Sequence, residues 1–171
     1  MIRNVHESDA EAVAAIYAHH VVHGTASYEL SPPSIDDTLA KIERITSQGW
    51  PFIVAERDDR LIGYAYVTQF RDRPAYAWAC ETSIYVHPDW LGKGVGRILL
   101  DALCARAESA GFRQIVGVIG GAEPASVALH AACGFQEAGR LHAMGWKHGR
   151  WLHSVYMQKA LGKGSSEPPD L

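Results

Sequence analysis

A lone carboxylate lies in the middle of an apolar strand pattern. Glu81 stands between Cys80 and Thr82. A carboxylate in such a place is costly unless it is paired or functional, and burial raises its pKa toward the range of a general base. Glu81 is therefore a candidate general base. The alternative is a structural ion pair with Arg71 or Arg73.

A glycine-rich loop follows the same strand pattern. Gly92, Gly94 and Gly96 alternate between an apolar run that ends at Val86 and a helical pattern that continues through Ile98. Glycines let a backbone approach a ligand closely, and a helix N-terminus directs free N–H groups at an anion. The pattern favours a phosphate or pyrophosphate site, although alternating glycines also occur in ordinary tight loops.

One common phosphate-binding motif is excluded and a second is disfavoured. The loop has no Gly-Lys-Ser or Gly-Lys-Thr, so it is not a Walker A loop. It also lacks the opening βαβ unit with an acidic residue about 20 positions beyond the glycines that a dinucleotide-binding Rossmann site requires.

Composition indicates one globular domain. The 171 residues are 47% apolar and 20% charged, with a net charge of −3 and no basic stripe, which argues against a nucleic-acid partner. No apolar run could span a bilayer and no signal-peptide pattern opens the chain, so we expect a cytoplasmic protein without a membrane partner. The three cysteines lack CxxC spacing, which argues against a disulfide framework or a metal site.

Periodicity and turn residues predict the elements in order. We expect a strand over 2–5, a helix to about 22 capped by Ser8 and Glu11, and a helix from 35 capped by Ser34 and ending near Gly49. The remaining predictions are strands over 52–57, 61–70 and 75–87, a helix over 94–110, a strand over 114–119, a helix over 124–133, and strands over 135–144 and 151–158.

This order implies a single α+β or α/β domain in which helices cover one sheet. We place the domain at 1–161 and expect 162–171 to be a flexible tail, because its composition is that of a loose segment.

Five segments together carry a family resemblance. The loop Leu-Gly-Lys-Gly-Val-Gly at 91–96 and the segment Ala-Leu-His-Ala-Ala-Cys-Gly-Phe at 128–135 resemble two motifs of the GNAT superfamily of N-acetyltransferases. The segments 70–76, 78–88 and 147–152 resemble its phosphinothricin and methionine sulfone/sulfoximine N-acetyltransferase group, and the similarity runs from about 2 to 160.

The resemblance implies a fold and an activity. The fold would be α+β, with a mixed, strongly twisted sheet of about seven strands and about four helices, and a splay between the fourth and fifth strands that admits acetyl-CoA. The implied enzyme is a homodimer that uses no metal. It transfers acetyl from acetyl-CoA to the amine of a small amino-acid-like acceptor.

The resemblance also assigns binding residues. The predicted acetyl-CoA contacts are Ile84, Tyr85, Val86, Gly92, Lys93, Gly94, Val95, Gly96, Arg97 and Glu123. Two positions depart from the family pattern, since Leu91 replaces the usual Arg or Gln and Glu123 replaces the usual Asn. A carboxylate donates no hydrogen bond unless it is protonated, so the Glu123 contact differs from that of an amide.

Catalytic and acceptor contacts complete the assignment. Glu81 would take a proton from the substrate ammonium, and His130 occupies the place of a Tyr thought to protonate the coenzyme A thiolate. The turn Arg71-Asp72-Arg73 would join Glu81 in contacting the acceptor, because guanidinium groups bind carboxylates well. The alternatives are a helix histidine satisfied by a backbone carbonyl and a solvated charged turn.

Other functions stay open from the sequence. The acceptor could be a polyamine or a peptide N-terminus, although the arginines of the turn repel a polyamine. The chain could also be a non-catalytic acyl-CoA sensor. Covalent catalysis by Cys80 is disfavoured, because strand alternation directs it to the face opposite Glu81.

Overall fold

The chain forms seven strands and four α-helices in this computed structural model, which describes residues 1–169. The strands are β1 (Ile2–Asn4), β2 (Phe52–Arg57), β3 (Arg60–Gln69), β4 (Ala79–Val86), β5 (Gln114–Gly120), β6 (Gln136–Lys147) and β7 (Arg150–Ala160). The helices are α1 (Ala10–His23), α2 (Ile35–Ser47), α3 (Val95–Ser109) and α4 (Pro124–Ala132).

The strands build one open sheet in the order β1-β2-β3-β4-β5-β7-β6. β4 and β5 run parallel, and every other neighbouring pair is antiparallel. This arrangement confirms the predicted α+β fold with a mixed sheet.

The β4–β5 pairing is short. It ends where Thr82 lies opposite Gly117. β4 then continues to Val86, while β5 continues to Gly120 paired only with β7. The two strands separate beyond this point, which confirms the predicted splay between the fourth and fifth strands.

Helices cover both faces of the sheet. The larger core lies between one face and α3 and contains Leu99, Leu100 and Leu103 together with Cys80 of β4. The smaller core lies under α1 and α2 on the other face. Burial of apolar area in these two layers fixes the helices relative to the splay.

The N-terminal capping prediction is wrong, because Asp9 takes the role given to Ser8 and Glu11. The Asp9 carboxylate accepts a hydrogen bond from the backbone N–H of His6 at 2.7 Å and also pairs with Arg3 at 2.7 Å. The acidic side chain thus gains an ion pair that the serine hydroxyl cannot make, and α1 begins at the next residue.

The strand predicted over 75–87 is shorter than expected. Pro74 begins a single 3₁₀ turn that ends at Tyr76, and β4 starts only at Ala79. Proline suits the first turn of a helix and has no N–H for a sheet. The charged turn is therefore followed by a compact connection rather than by extended chain.

The second capping prediction is confirmed. The Ser34 hydroxyl accepts from the Asp37 N–H at 3.1 Å, and the Asp37 carboxylate accepts from the Ser34 N–H at 2.9 Å. This reciprocal pair satisfies two free donors at the start of α2.

The C-terminal segment follows β7 as turns. Gly164 is buried, and the Pro168 carbonyl lies 3.4 Å from Nη2 of Arg113. Residues 170 and 171 of the predicted tail lie outside the described residues. None of the helices formed by residues 1–169 is long and apolar enough to cross a bilayer.

Candidate active site

Two cavities open at the splay of β4 and β5. We call them the loop cleft, of about 550 Å³, and the splay cavity, of about 600 Å³. The loop cleft is lined by the glycine loop, the end of α1 and the start of α4. The splay cavity is lined by Glu81, α2 and the buried side of α4. Both are lined by Ile84 and Tyr85, so the cavities meet along β4.

The glycine loop contains two residues with positive φ, a backbone conformation that is strained for residues other than glycine. Gly92 and Gly94 have φ values of +70° and +82°, and Gly94 is the residue that precedes α3. A Cβ at Gly96 would lie 3.1 Å from a methyl group of Leu129. The backbone conformation thus favours glycine at positions 92 and 94, and close packing against Leu129 favours it at position 96. The free N–H groups at the start of α3 suit a phosphate.

Most of the predicted acetyl-CoA contacts line the loop cleft, and two do not. The residues present are Ile84, Tyr85, Val86, Gly92, Gly94, Gly96, Arg97 and Glu123. Val95 is buried in the larger core, and the Lys93 ammonium lies over the Trp90 ring, 5.1 Å from its centre. These two residues can contribute backbone N–H groups to the loop, whereas their side chains are engaged elsewhere.

The histidines of α1 were missed as cleft residues. His19, His20 and His23 line the loop cleft. Nε2 of His20 lies 2.8 Å from the Val86 carbonyl oxygen, and burial lowers the pKa of His20. The neutral ring therefore donates from Nε2 to β4. The spacing of these histidines on α1 does not show that the helix end reaches the splay.

Glu81 is partly buried at the wall of the splay cavity. Its side chain is 32% exposed, and burial raises its pKa above the usual value for a glutamate. The Arg71 guanidinium, whose Nη1 lies 3.8 Å from Oε2, acts in the opposite direction and lowers that pKa. The burial effect is the larger one. Glu81 is thus more basic than an exposed glutamate.

Only one residue of the turn that is predicted to bind the acceptor contacts Glu81. Arg71 contacts Glu81, and its guanidinium lies over the Phe70 ring, 4.1 Å from the ring centre. Arg71, Asp72 and Arg73 are all exposed, and none of them is among the residues that line the splay cavity. The structure therefore brings Arg71 to the candidate base and leaves the other two residues on the surface of the turn.

His130 is buried between α4 and β5. Its Nδ1 lies 2.8 Å from the Ser126 carbonyl oxygen, which can only accept, so Nδ1 carries the hydrogen. Within the described residues, Nε2 has no hydrogen-bond partner. A Cβ on Gly117 would lie 2.6 Å from this atom, so Nε2 faces β5 where the splay begins. Burial lowers the pKa of His130, which keeps the ring neutral at neutral pH.

The Thr82 hydroxyl is a second polar group at the same place. Like Nε2 of His130, its oxygen is buried and has no hydrogen-bond partner among residues 1–169. Thr82 is register-paired with Gly117, the residue that His130 faces. Each of these unsatisfied polar atoms is a cost that a bound water or ligand would remove.

Cys80 lies away from both cavities. It is fully buried in the larger core, and burial raises its thiol pKa. The thiolate that covalent catalysis needs is therefore disfavoured. Cys104 and Cys133 are also buried free thiols. Across residues 1–169, no three His, Cys, Asp or Glu side chains come together as a metal-binding group.

Comparison with known proteins assigns the family. The acetyltransferase (GNAT) domain family matches residues 2–156. The chain belongs to the GNAT acetyltransferase family. This family membership bears out the resemblance of the glycine loop and of the α4 segment.

The relatives of this GNAT acetyltransferase fall in the expected group. This chain is 46% identical over 170 residues to the phosphinothricin N-acetyltransferase of Alcaligenes faecalis, and the match covers 99% of this chain and 86% of that protein. It is 34% identical over 160 residues to the L-methionine sulfoximine/L-methionine sulfone acetyltransferase of Salmonella typhimurium, covering 94% of each.

A solved structure shows the same fold. The crystal structure of a phosphinothricin acetyltransferase from Sinorhizobium meliloti in complex with acetyl-CoA matches with a TM-score of 0.98 at 43% identity, covering 99% of this chain and 92% of that one. These matches confirm the predicted group, the acyltransferase class, and acetyl-CoA as the co-substrate that the family uses.

Proposed function

We propose that this enzyme transfers the acetyl group of acetyl-CoA to the α-amine of a small amino acid of the phosphinothricin, methionine sulfone or methionine sulfoximine type. The observation that carries the proposal is the position of Glu81. Its carboxylate lines a cavity that adjoins the glycine-loop cleft, and a guanidinium lies 3.8 Å away. A base for an ammonium thus stands beside a group that binds a carboxylate.

The loop cleft fits acetyl-CoA by its own chemistry. The positive φ values of Gly92 and Gly94 turn the backbone at the start of α3, where N–H groups can hold a pyrophosphate. The β4 segment beyond Thr82 has no β5 partner on the splay side, so its backbone can pair with the amides of the pantetheine arm. Acetyl-CoA supplies the acetyl group as a thioester. Glu123 is proposed to border this arm.

Two residues are proposed to move protons. An Oε atom of Glu81 takes the first proton, which converts the acceptor ammonium into a nucleophilic amine. The nitrogen then bonds to the acetyl carbon and must lose a second proton, while the departing sulfur must gain one. Neutral Nε2 of His130 receives that second proton and returns it to the sulfur. A lowered pKa suits this shuttle, because the resting ring is a free acceptor and its protonated form is a strong acid.

Arg71 is proposed to bind the α-carboxylate of the acceptor. In an α-amino acid, the ammonium and the carboxylate are attached to one carbon, so a base and a guanidinium 3.8 Å apart match them as a pair. Asp72 and Arg73 are proposed to border the entrance on the same turn. This arrangement disfavours a polyamine, which has no carboxylate for Arg71 to bind.

We further propose a homodimer. β6 is an edge strand that is exposed along most of its length, and with β7 it presents Leu141, Met144, Trp146 and Trp151 to solvent. The two tryptophans are 57% and 60% exposed. Contiguous apolar side chains on an edge strand are typical of an interface. Light scattering of the purified protein tests this, and a monomer mass at micromolar concentration contradicts it.

The domain and the compartment complete the proposal. Residues 1–161 would form the acetyltransferase domain, followed by the segment from 162. The enzyme would work in the cytoplasm, where reduced thiols persist and the three free cysteines stay unpaired. Cell fractionation tests the compartment.

A panel of amines tests the proposed function. Thiol release from acetyl-CoA is measured with phosphinothricin, methionine sulfone, methionine sulfoximine, spermidine and a peptide with a free N-terminus. We expect release with the three amino acids. Release with spermidine or the peptide alone would establish another acceptor class. Tight coenzyme A binding without any release would establish a sensor.

A further inference from the structure

Two basic side chains of α2 line the splay cavity, and the steps described so far do not use them. Lys41 and Arg44 are three residues apart and therefore lie on one face of the helix. Lys41 is partly buried, and its Nζ lies 5.1 Å from the centre of the Tyr17 ring and 5.7 Å from that of Tyr66. Two aromatic rings thus hold the ammonium at the cavity wall.

Neither cation forms a direct ion pair with an acidic side chain of the described residues. In residues 1–169, no ion pair or side-chain hydrogen bond is made by Lys41 or Arg44. Glu43, two residues from Lys41, is exposed, and Asp37, one turn before Lys41, is hydrogen-bonded to Ser34. The charge of Lys41 contributes to lowering the Asp37 pKa, but less than the Ser34 hydrogen bonds do. A partly buried ammonium without an acceptor is an incomplete arrangement that an anion would complete.

The two acidic residues of the cavity have other electrostatic partners. Glu81 lies beside Arg71. Glu29 interacts with the charge of Lys147, an ammonium that also donates to the Ser27 carbonyl at 2.8 Å. The charged side chains of the splay cavity therefore fall into two separate groups. An acid–base centre lies at Glu81, and a cationic wall lies at α2.

We propose that Lys41 and Arg44 bind an anionic group at the far end of the acceptor side chain, which makes the enzyme selective for amino acids with a negatively charged side chain. The inference rests on the proposed function. With the amine at Glu81 and the α-carboxylate at Arg71, the side chain is the part of the acceptor left to reach α2. A phosphinate or carboxylate there gains charge-assisted hydrogen bonds from the ammonium and the guanidinium.

Two acceptors isolate this charge. Phosphinothricin carries a methylphosphinate on a two-carbon side chain, and methionine sulfone carries a methylsulfonyl group on the same two carbons. Both end groups are tetrahedral with two oxygens and one methyl group, but only the phosphinate is charged. Loss of a cation that binds the end group must therefore lower kcat/KM for phosphinothricin much more than for methionine sulfone.

The experiment measures kcat/KM for both acceptors in the wild type, Lys41→Met, Arg44→Met and Lys41→Arg. We expect Lys41→Met to lower the phosphinothricin-to-methionine-sulfone ratio by about 10-fold or more, the size expected for a lost charge-assisted hydrogen bond. Arg44→Met should shift the ratio the same way but less, since Arg44 is exposed. Lys41→Arg should restore most of the ratio. Arg60→Met is the control, because Arg60 is exposed at the β2–β3 turn outside both cavities.

The outcomes separate the inference from the proposed function. An unchanged ratio in both methionine variants overturns the inference, whether or not the overall rate falls, while an active wild type leaves the proposed function standing. A wild type that acetylates neither acceptor overturns both. Thermal denaturation by circular dichroism identifies a variant that does not fold. If Lys41→Met does not fold, Arg44→Met decides through its effect on the ratio, and an unchanged ratio in that variant overturns the inference.

Discussion

The Arg71 guanidinium lies 3.8 Å from the Glu81 carboxylate, and the two groups are held at the end of one charged turn and in the middle of β4. This pairing balances two opposed effects on the candidate base. Burial raises the pKa of Glu81 and makes it more basic, while the charge of Arg71 opposes that rise. Both of the readings that the sequence left open, base and ion-pair member, therefore describe the same residue.

Replacing Arg71 tests this balance through the pH profile. Glu81 acts in its ionised form, so kcat/KM rises with pH through the pKa of Glu81. Arg71→Met removes the influence that lowers this pKa. The acidic limb should move to higher pH by about one unit or less, because the pair is partly solvent-screened. Arg71→Lys should hold the limb near its wild-type position. A limb that stays in place in Arg71→Met contradicts the coupling.

Replacing His130 tests the proposed proton shuttle. His130→Asn can keep the hydrogen bond to the Ser126 carbonyl but has no atom equivalent to Nε2. We expect kcat to fall about 100-fold with little change in KM for acetyl-CoA. The melting temperature reports whether packing survives. Wild-type kcat in a folded His130→Asn protein would remove the shuttle and leave a structural histidine.

Gly117 is predicted to leave the room that the His130 ring needs, because glycine has no side chain. An added methyl group would lie 2.6 Å from Nε2, on a ring that is pinned at Nδ1. Gly117→Ala should therefore displace the ring and lower kcat about as much as His130→Asn does. Gly139→Ala is the matched control, because a Cβ there meets no atom within 4 Å. Equal activity of the two alanine variants would show that the ring position is unimportant.

Replacing Gly94 is predicted to weaken acetyl-CoA binding as well as to lower stability. Its φ of +82° makes alanine costly by roughly 1–2 kcal/mol. Gly111, after the other end of α3, has a φ of +95° and similarly open space for a Cβ, so Gly111→Ala carries a comparable strain away from the cleft. We expect both variants to melt at lower temperature and only Gly94→Ala to raise KM for acetyl-CoA. An equal KM in both would remove the glycine loop from cofactor binding.

The sequence predicts those parts of the site that depend on local backbone. The strand, glycine loop and helix start from Ile84 to Ile98 form a contiguous stretch, and glycine spacing reports directly on backbone conformation. Glu81 was found because a carboxylate breaks an apolar strand. In these places a residue type and its neighbours carry enough information.

The cationic wall could not be predicted in this way. Lys41 and Arg44 lie on an amphipathic helix whose charged residues are indistinguishable in sequence from an ordinary solvated face. Their position at the splay depends on how α2 packs over the sheet, which is a long-range property. The same holds for His20, since its contact with Val86 joins residues that are 66 positions apart.

Acetylation by the wild type and by Glu81→Gln is the most direct test of Glu81 as the catalytic base. Thiol release and the N-acetyl product are measured together, with phosphinothricin and methionine sulfone as acceptors. We expect equimolar thiol and N-acetyl amino acid from the wild type, and a kcat about 100-fold lower in Glu81→Gln at a nearly unchanged KM for acetyl-CoA. Wild-type turnover by Glu81→Gln, or no N-acetyl product from the wild type with either acceptor, would contradict this expectation.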